Sequence, residues 1–360
     1  MSPHVVHEEP LRRFIDGVCR ALGAPAESAA DVAEHLYRTS LAGHDAQGVA
    51  RLPDYVAEAD AGLLVPAAAT RLLRETAVTA VLDAGRGFGP HSTAVALAWC
   101  VERARTSGLA AAAVRRSSPV GWIGEYATRA AEAGLLAIVT VGAAGTGAGD
   151  VMLYGGRERF LGVNPWTFAV PGRERSLLAG GPTSTVSHGD VRLARAKGGP
   201  LPADCVYDRY GRPSTDPDDF FAGGGLVPLG GAVAGERGSG LGLASALFGG
   251  LGTIDGDESG VGGVFVEVID PGAFGDAGAY RDLVDGALAA ARTTRPTAGR
   301  SEVPVPGGAE ARARAERARS GIRLTDATWA DLDALAGRFG VPLPMQHEPQ
   351  SQPSPSQGED

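Results

Sequence analysis

Apolar positions recur at helical spacing near both ends of the chain and alternate between short strands and helices in the middle. Pro10–Leu22 reads as one helix, and Ala24-Pro25-Ala26-Glu27-Ser28 leads into a second over Ala29–Arg38. Arg51–Ala59 reads as a short helix that tolerates Pro53 near its first turn. Strands are expected over Ala77–Leu82, Ala110–Val114, Leu135–Val141, Thr167–Val170 and Val264–Ile269. Helices are expected over Pro90–Ala104, Gly121–Ala133, the glycine-interrupted stretch Gly240–Phe248, and Asp270–Arg292. Ala309–Arg319 and Thr325–Arg338 close the pattern, with Thr325 as a cap. Such alternation argues for an α/β layered core. The expected division is a helical part (1–75) packing with C-terminal helices (290–344), an α/β unit (76–289), and a disordered Gln/Ser/Pro-rich tail (345–360).

Composition narrows the function classes. A chain of 360 residues with 44% hydrophobic and 21% charged residues is an ordinary globular protein able to bury a large core. The net charge of −9 argues against nucleic-acid binding, and no apolar run approaches the roughly 20 residues of a membrane span. The start carries neither a basic nor an apolar signal segment, so a cytoplasmic location is expected. Cys19, Cys100 and Cys205 are far apart and read as small buried hydrophobes. Lys197 is the only lysine, which removes a P-loop lysine or a Schiff-base lysine elsewhere. No histidine pair has ligand spacing, so no metal site is expected.

Gly142-Ala143-Ala144-Gly145-Thr146-Gly147 follows a predicted strand but lacks the Rossmann spacing and a following helix. Stronger signals lie elsewhere. The first is Gly43-His44-Asp45-Ala46-Gln47-Gly48-Val49-Ala50-Arg51-Leu52-Pro53-Asp54-Tyr55, where helical spacing would set Gln47, Arg51 and Tyr55 on one face. An arginine fork there suits a carboxylate, although a surface ion pair with Asp45 or Asp54 would also account for it. The second is Val114-Arg115-Arg116-Ser117-Ser118-Pro119-Val120-Gly121-Trp122-Ile123-Gly124-Glu125-Tyr126. Further segments are Phe160-Leu161-Gly162-Val163-Asn164-Pro165, Gly180 to Asp190, Leu226 to Gly231 with Glu236 to Leu241, and Pro306 to Glu310.

In this order, the segments resemble the malate/L-lactate dehydrogenase family, the type-2 group that includes piperideine-carboxylate reductase. The resemblance spans about residue 10 to residue 344. It implies a mixed-sheet sulfolactate/malate dehydrogenase-like α/β fold that binds NAD(P) in a non-Rossmann way, with a helical part from both chain ends, and a homodimer. It also implies substrate contacts at Arg51, Val163 and Asn164. Cofactor contacts are implied at Ser118, Pro119, Val120, Gly121, Trp122, Gly180, Gly181, Pro182, Arg237, Gly238, Pro306 and Gly307.

The departures matter as much as the matches. Gln47 and Pro119 stand where the family carries histidines, Val163 replaces a threonine, Gly180 an aspartate, and Trp122 a small residue. Glutamine cannot give up a proton at neutral pH, so general-acid help worth some ~10²–10⁴ in rate is absent at that position. Asp190 falls on the family aspartate that orients a catalytic histidine, for which His188 or His44 would be the partner; a helix or loop cap is the competing reading. Candidate catalytic residues are therefore Gln47, Arg51, Tyr55, Asp190 and His188, with NADPH or NADH as cofactor and a small molecule as partner. Two functions stay open. One is reduction of a carboxylate-bearing C=N or C=O metabolite. The other is a diverged, non-redox member that binds and cyclises, isomerises or sequesters such a metabolite.

Overall fold

The computed structural model describes residues 4–146, 149–254 and 261–344. Its centre is a twelve-stranded mixed sheet. The strand Leu136–Ala144 runs antiparallel to Val261–Ile269 over nine residue pairs, from Leu136↔Ile269 to Ala144↔Val261. Val261–Ile269 is in turn antiparallel to Leu109–Arg115, which pairs in parallel with Thr79–Asp83. An edge strand, Arg71–Glu75, lies antiparallel beyond it. On the other side of Leu136–Ala144 come Trp166–Val170 and then Leu177–Gly181. The α/β mixed-sheet architecture expected from the resemblance is the one found.

Alternation explains the first core. In the strand Leu109–Arg115, Ala110, Ala112 and Val114 are fully buried beside Leu97, Cys100 and Ala104 of the helix Gly89–Ser107 and Tyr126, Ala127 and Ala130 of the helix Gly124–Glu132. Alanines at these positions let two helices approach the sheet closely. The helix Gly231–Gly250 reaches the sheet by glycine contact. A Cβ on Gly142 would stand 2.5 Å from the Ala246 nitrogen, and one on Gly249 would stand 2.4 Å from the Gly263 carbonyl oxygen.

A second core joins chain segments far apart in sequence. Leu11, Phe14, Ile15 and Val18 of the helix Glu8–Ala21 and Leu36 of the helix Ala26–Leu41 pack with Ile322, Leu332 and Leu335. The strands His4–Val6 and Ile322–Leu324 pair antiparallel over this core. A third, smaller core gathers Val151, Leu161, Val191, Phe220 and Leu226.

Several expectations shift. The helix at 121 begins three residues later, at Gly124, because Gly121 has a φ of +74°. Asp270–Arg292 is two elements, a short 3₁₀ turn Pro271–Ala273 and a helix Ala277–Thr293 that Asp276 caps through the amides of Gly278 and Ala279. Gly240–Phe248 is the inner part of the longer helix Gly231–Gly250, which is kinked at Ala234. Gly142, Ala143 and Ala144 lie inside an antiparallel strand, so they form no phosphate loop; Gly147 falls outside the described residues, as does the tail expected to be disordered.

Candidate active site

The first segment is not a single helix. Asp45–Gln47 and Val49–Arg51 are separate 3₁₀ turns, split at Gly48 by a ψ of −139°, and the α-helix starts at Leu52. The cause is steric: a Cβ on Gly48 would lie 2.1 Å from Ser40 Oγ, which itself accepts the Val49 amide at 2.9 Å. The shared face expected for Gln47, Arg51 and Tyr55 is therefore broken. Gln47 is exposed and makes no side-chain hydrogen bond among the described residues, whereas Tyr55 is fully buried.

Tyr55 reaches the second segment. Its hydroxyl donates to the Pro119 carbonyl at 2.9 Å. Burial pushes the phenol far up, so it stays protonated and acts as a donor. Arg51 lies beside it, with the guanidinium carbon 5.8 Å from the ring centre and Nη1 donating to Asp54 at 2.9 Å. The Arg51 Nε is buried without a hydrogen-bond partner among the described residues, and Nη2 makes none either, so Nη2 is the group of the fork left for a ligand.

The loop 118–122 is tightly tied. Ser118 Oγ accepts the Gly89 amide at 2.8 Å, and the Val120 carbonyl accepts the Tyr126 hydroxyl at 2.7 Å. Gly121 sits against His35, whose Nε2 would be 2.2 Å from a Cβ there. Burial lowers His35 to about 3, so it is a neutral wall behind the loop. Trp122 stacks on His44 with ring centroids 3.9 Å apart. The indole thus packs against the first segment rather than into the main core.

One helix binds both segments together. Gly308–Ser320 presents Glu310, Arg314 and Arg317 at helical spacing. Glu310 contacts His44 Nε2 at 3.3 Å, Arg314 meets Glu125 at 3.3 Å, and Arg317 pairs with Asp45 and donates to the Ser40 carbonyl at 2.6 Å. Glu125 is buried against Arg314 and Arg38, and burial raises it to about 7 against the two arginines' pull. Sequence reading passed over Glu125, Arg314 and the His44–Glu310 contact. The three-and-four spacing of residues 310, 314 and 317 was the available signal.

Pro306 and Gly307 adjoin the strand Leu177–Gly181. Gly307 has a φ of +85°, and a Cβ on it would be 3.0 Å from the Leu178 nitrogen. A cavity of about 190 Å³ opens here, lined by Leu178, Pro306, Gly307, Arg175, Arg292 and Arg314, among others. Gly181 has open space where a side chain would stand. Gly180 at the same strand end is exposed, while Pro182 is half-buried.

A family model described as malate/L-lactate dehydrogenase matches residues 6–333. The chain belongs to this family. Hydroxycarboxylate dehydrogenase B of Escherichia coli (strain K12) is 30% identical over 356 residues, covering 95% of this chain and 96% of that protein. The Delta(1)-pyrroline-2-carboxylate/Delta(1)-piperideine-2-carboxylate reductase of Pseudomonas putida is 30% identical over 302 residues, 79% of this chain and 86% of the relative. The malate dehydrogenase structure from Entamoeba histolytica has a TM-score of 0.88 at 24% identity, covering 96% of this chain and 100% of that one, a likeness of fold. Family membership makes the chain a nicotinamide-dependent oxidoreductase.

Other family positions are occupied differently from expectation. Asn164 has both amide hydrogens engaged, to the Ala143 carbonyl at 3.1 Å and the Gly242 carbonyl at 2.8 Å, and its Oδ1 accepts the Ala143 amide at 2.9 Å. Buried at φ +38°, it pins a turn to the sheet and helix, and it has no donor left for a substrate. Val163 beside it packs, half-buried, against the third core. Asp190 does not pair with His188 or His44. It closes a capping box with Ser187 at the start of the helix His188–Lys197. His188 instead turns to Asp150, with Nδ1 2.8 Å from its carboxylate. The Arg237 side chain is 85% exposed, 3.8 Å from Glu236, while Gly238 packs under Leu229. Among the described residues, no group of three or more His, Cys, Asp or Glu side chains is placed to hold a metal, and no helix is long and apolar enough to cross a membrane.

Proposed function

We propose that this chain is an NAD(P)H-dependent reductase of a small carboxylate-bearing metabolite, with a cyclic imine favoured over a 2-oxo acid. The observation that carries the reading is the junction of Tyr55 with Pro119. It sets Arg51, whose Nη2 makes no hydrogen bond among the described residues, beside the loop that the family resemblance assigns to the cofactor, with no titratable side chain at 47 or 119.

The residues fit a nicotinamide dinucleotide in part of its length. The cavity at Pro306 and Gly307 is too small to enclose a whole dinucleotide, since full ligand pockets run to about 300–1,000 Å³, but it suits one end of it. The open space at Gly181 leaves room for close approach to main chain. Ser118, Gly121 and Trp122 would border the other end. When bound, the reduced cofactor supplies a hydride.

The chain's own residues divide the remaining work. Arg51 would hold the substrate carboxylate through its unpartnered Nη2. Tyr55 holds the loop through its bond to Pro119. Gln47 can donate a hydrogen bond but cannot release a proton. A ketone needs a proton as its oxygen takes up the electron pair. A protonated imine already carries that proton, and hydride addition leaves a neutral amine. The site therefore matches C=N reduction. The relative named as a pyrroline- and piperideine-carboxylate reductase supports this choice.

The homodimer and the cytoplasmic location belong to the same proposal. An apolar groove of about 560 Å³ beside Leu73, Leu251 and Ile254 supports the dimer as surface for a second copy. The direct test mixes purified protein with cyclic imino acids and NADPH or NADH. The near-ultraviolet absorbance of the reduced cofactor should fall. No fall with either cofactor and any such imine overturns the reading in favour of non-redox binding.

A further inference from the structure

The cavity beside Pro306 carries more positive charge than its protein partners neutralise. Arg175, Arg292 and Arg314 line it, with Glu132 and Glu174. Arg314 is paired with Glu125, and Glu132 is held through both oxygens by Arg38 at 2.7 Å. That removes one charge of each sign. The Arg175 and Arg292 side chains make no hydrogen bond or ion pair among the described residues, and they face a single uncommitted carboxylate, that of Glu174. Ser176 adds a hydroxyl donor to the lining, whereas the Thr128 hydroxyl is spent on the Gly124 carbonyl at 2.7 Å.

Geometry limits what can enter. At about 190 Å³ the cavity takes one compact anionic group. Two guanidinium forks match a phosphate monoester, which carries nearly two charges at neutral pH and three acceptor oxygens. The pyrophosphate common to both nicotinamide cofactors has no such doubly charged terminus.

We propose that Arg175 and Arg292 form a 2′-phosphate site, so that the chain selects NADPH over NADH. The inference rests on the proposed nicotinamide binding and deepens it. Arg175 and Arg292 act on affinity for the cofactor's adenosine end and touch no reacting atom.

The test is a binding titration of the full chain, read by tryptophan fluorescence and by calorimetry, with NADPH, NADH, adenosine 2′,5′-bisphosphate and 5′-AMP as probes. NADPH should bind at least about tenfold tighter than NADH, in line with the strength of charged hydrogen bonds, and the bisphosphate should outbind 5′-AMP by a similar factor. Both arginines are exposed, so Arg175→Ala and Arg292→Ala should fold normally. Each should shrink the NADPH-to-NADH affinity ratio, and Arg292→Lys should restore part of it. Equal affinities overturn the proposal. So do variants that weaken NADH and NADPH alike, which would assign these arginines to the shared pyrophosphate. If neither dinucleotide binds, the reductase reading falls as well. If NADH alone binds, only the 2′-phosphate site falls.

Discussion

Tyr55 donates its buried hydroxyl to the carbonyl of Pro119, 64 positions later, at 2.9 Å. This bond joins the two segments that carry Gln47 and Pro119. Tyr55→Phe removes it with little change of shape. We expect a loss of about 1 kcal/mol in unfolding free energy, measured by urea denaturation. Cofactor affinity should fall with it, because the loop 118–122 loses a tether. Unchanged stability and affinity would mean that the bond does not hold the loop.

Arg51 is assigned the substrate carboxylate. Arg51→Lys keeps the charge but loses the planar fork. Steady-state kinetics with a cyclic imino acid should show KM raised about tenfold or more, with kcat far less affected. The same imine bearing an amide in place of the carboxylate should barely distinguish the two proteins. A fall in kcat with constant KM would move Arg51 out of the binding role.

The absence of a protein acid is testable by restoring one. Gln47 is exposed and Pro119 uses only its carbonyl, so Gln47→His and Gln47→His/Pro119→His should fold. Reduction of a 2-oxo acid should rise, up to about 10²-fold where the ring reaches the oxygen, while imine reduction changes little. Equal gains for both substrates would show that proton supply is not what separates them.

Glu125 should leave a mark on the pH dependence of stability. Burial raises it to about 7 from an ordinary 4.5. The folded state then holds this proton more tightly than the unfolded chain does. Its contribution is therefore full below about 4.5 and is lost as pH rises through about 7. Melting temperatures of the native chain and Glu125→Gln, compared between pH 5 and 8, should show a steeper decline for the native protein. Parallel curves would mean that Arg38 and Arg314 keep the carboxylate ionised throughout.

Asn164 separates a structural role from a substrate role. Asn164→Ala removes three hydrogen bonds around a left-handed turn and should cost about 2–4 kcal/mol. KM of the folded enzyme should stay near the native value. A raised KM with native stability would return Asn164 to the substrate site.

Periodicity alone located most helices and central strands, because Leu109–Arg115 and the helix Gly89–Ser107 alternate or repeat as their burial demands. It missed Arg71–Glu75, whose five residues are all exposed and follow no apolar rhythm, and it ran Asp270–Arg292 through a break marked only by Gly275 and the cap Asp276. The candidate site was legible as segments. Its internal contacts were not: helical spacing assumed continuity through Gly48, and only the approach of Ser40 shows why the backbone turns there.

Local residue order thus carried the α/β class, the family and the lack of an ionisable side chain at 47 and 119, since each is written in types and spacings along a short stretch. Which side chains meet was decided by packing between distant segments. His44 finds Trp122 and Glu310, Glu125 finds Arg314, and Asp190 turns back to Ser187 instead of to a histidine. Such pairings depend on how helices from both chain ends settle on one sheet, and on whether a polar group finds a nearer partner first. Sequence spacing constrains neither.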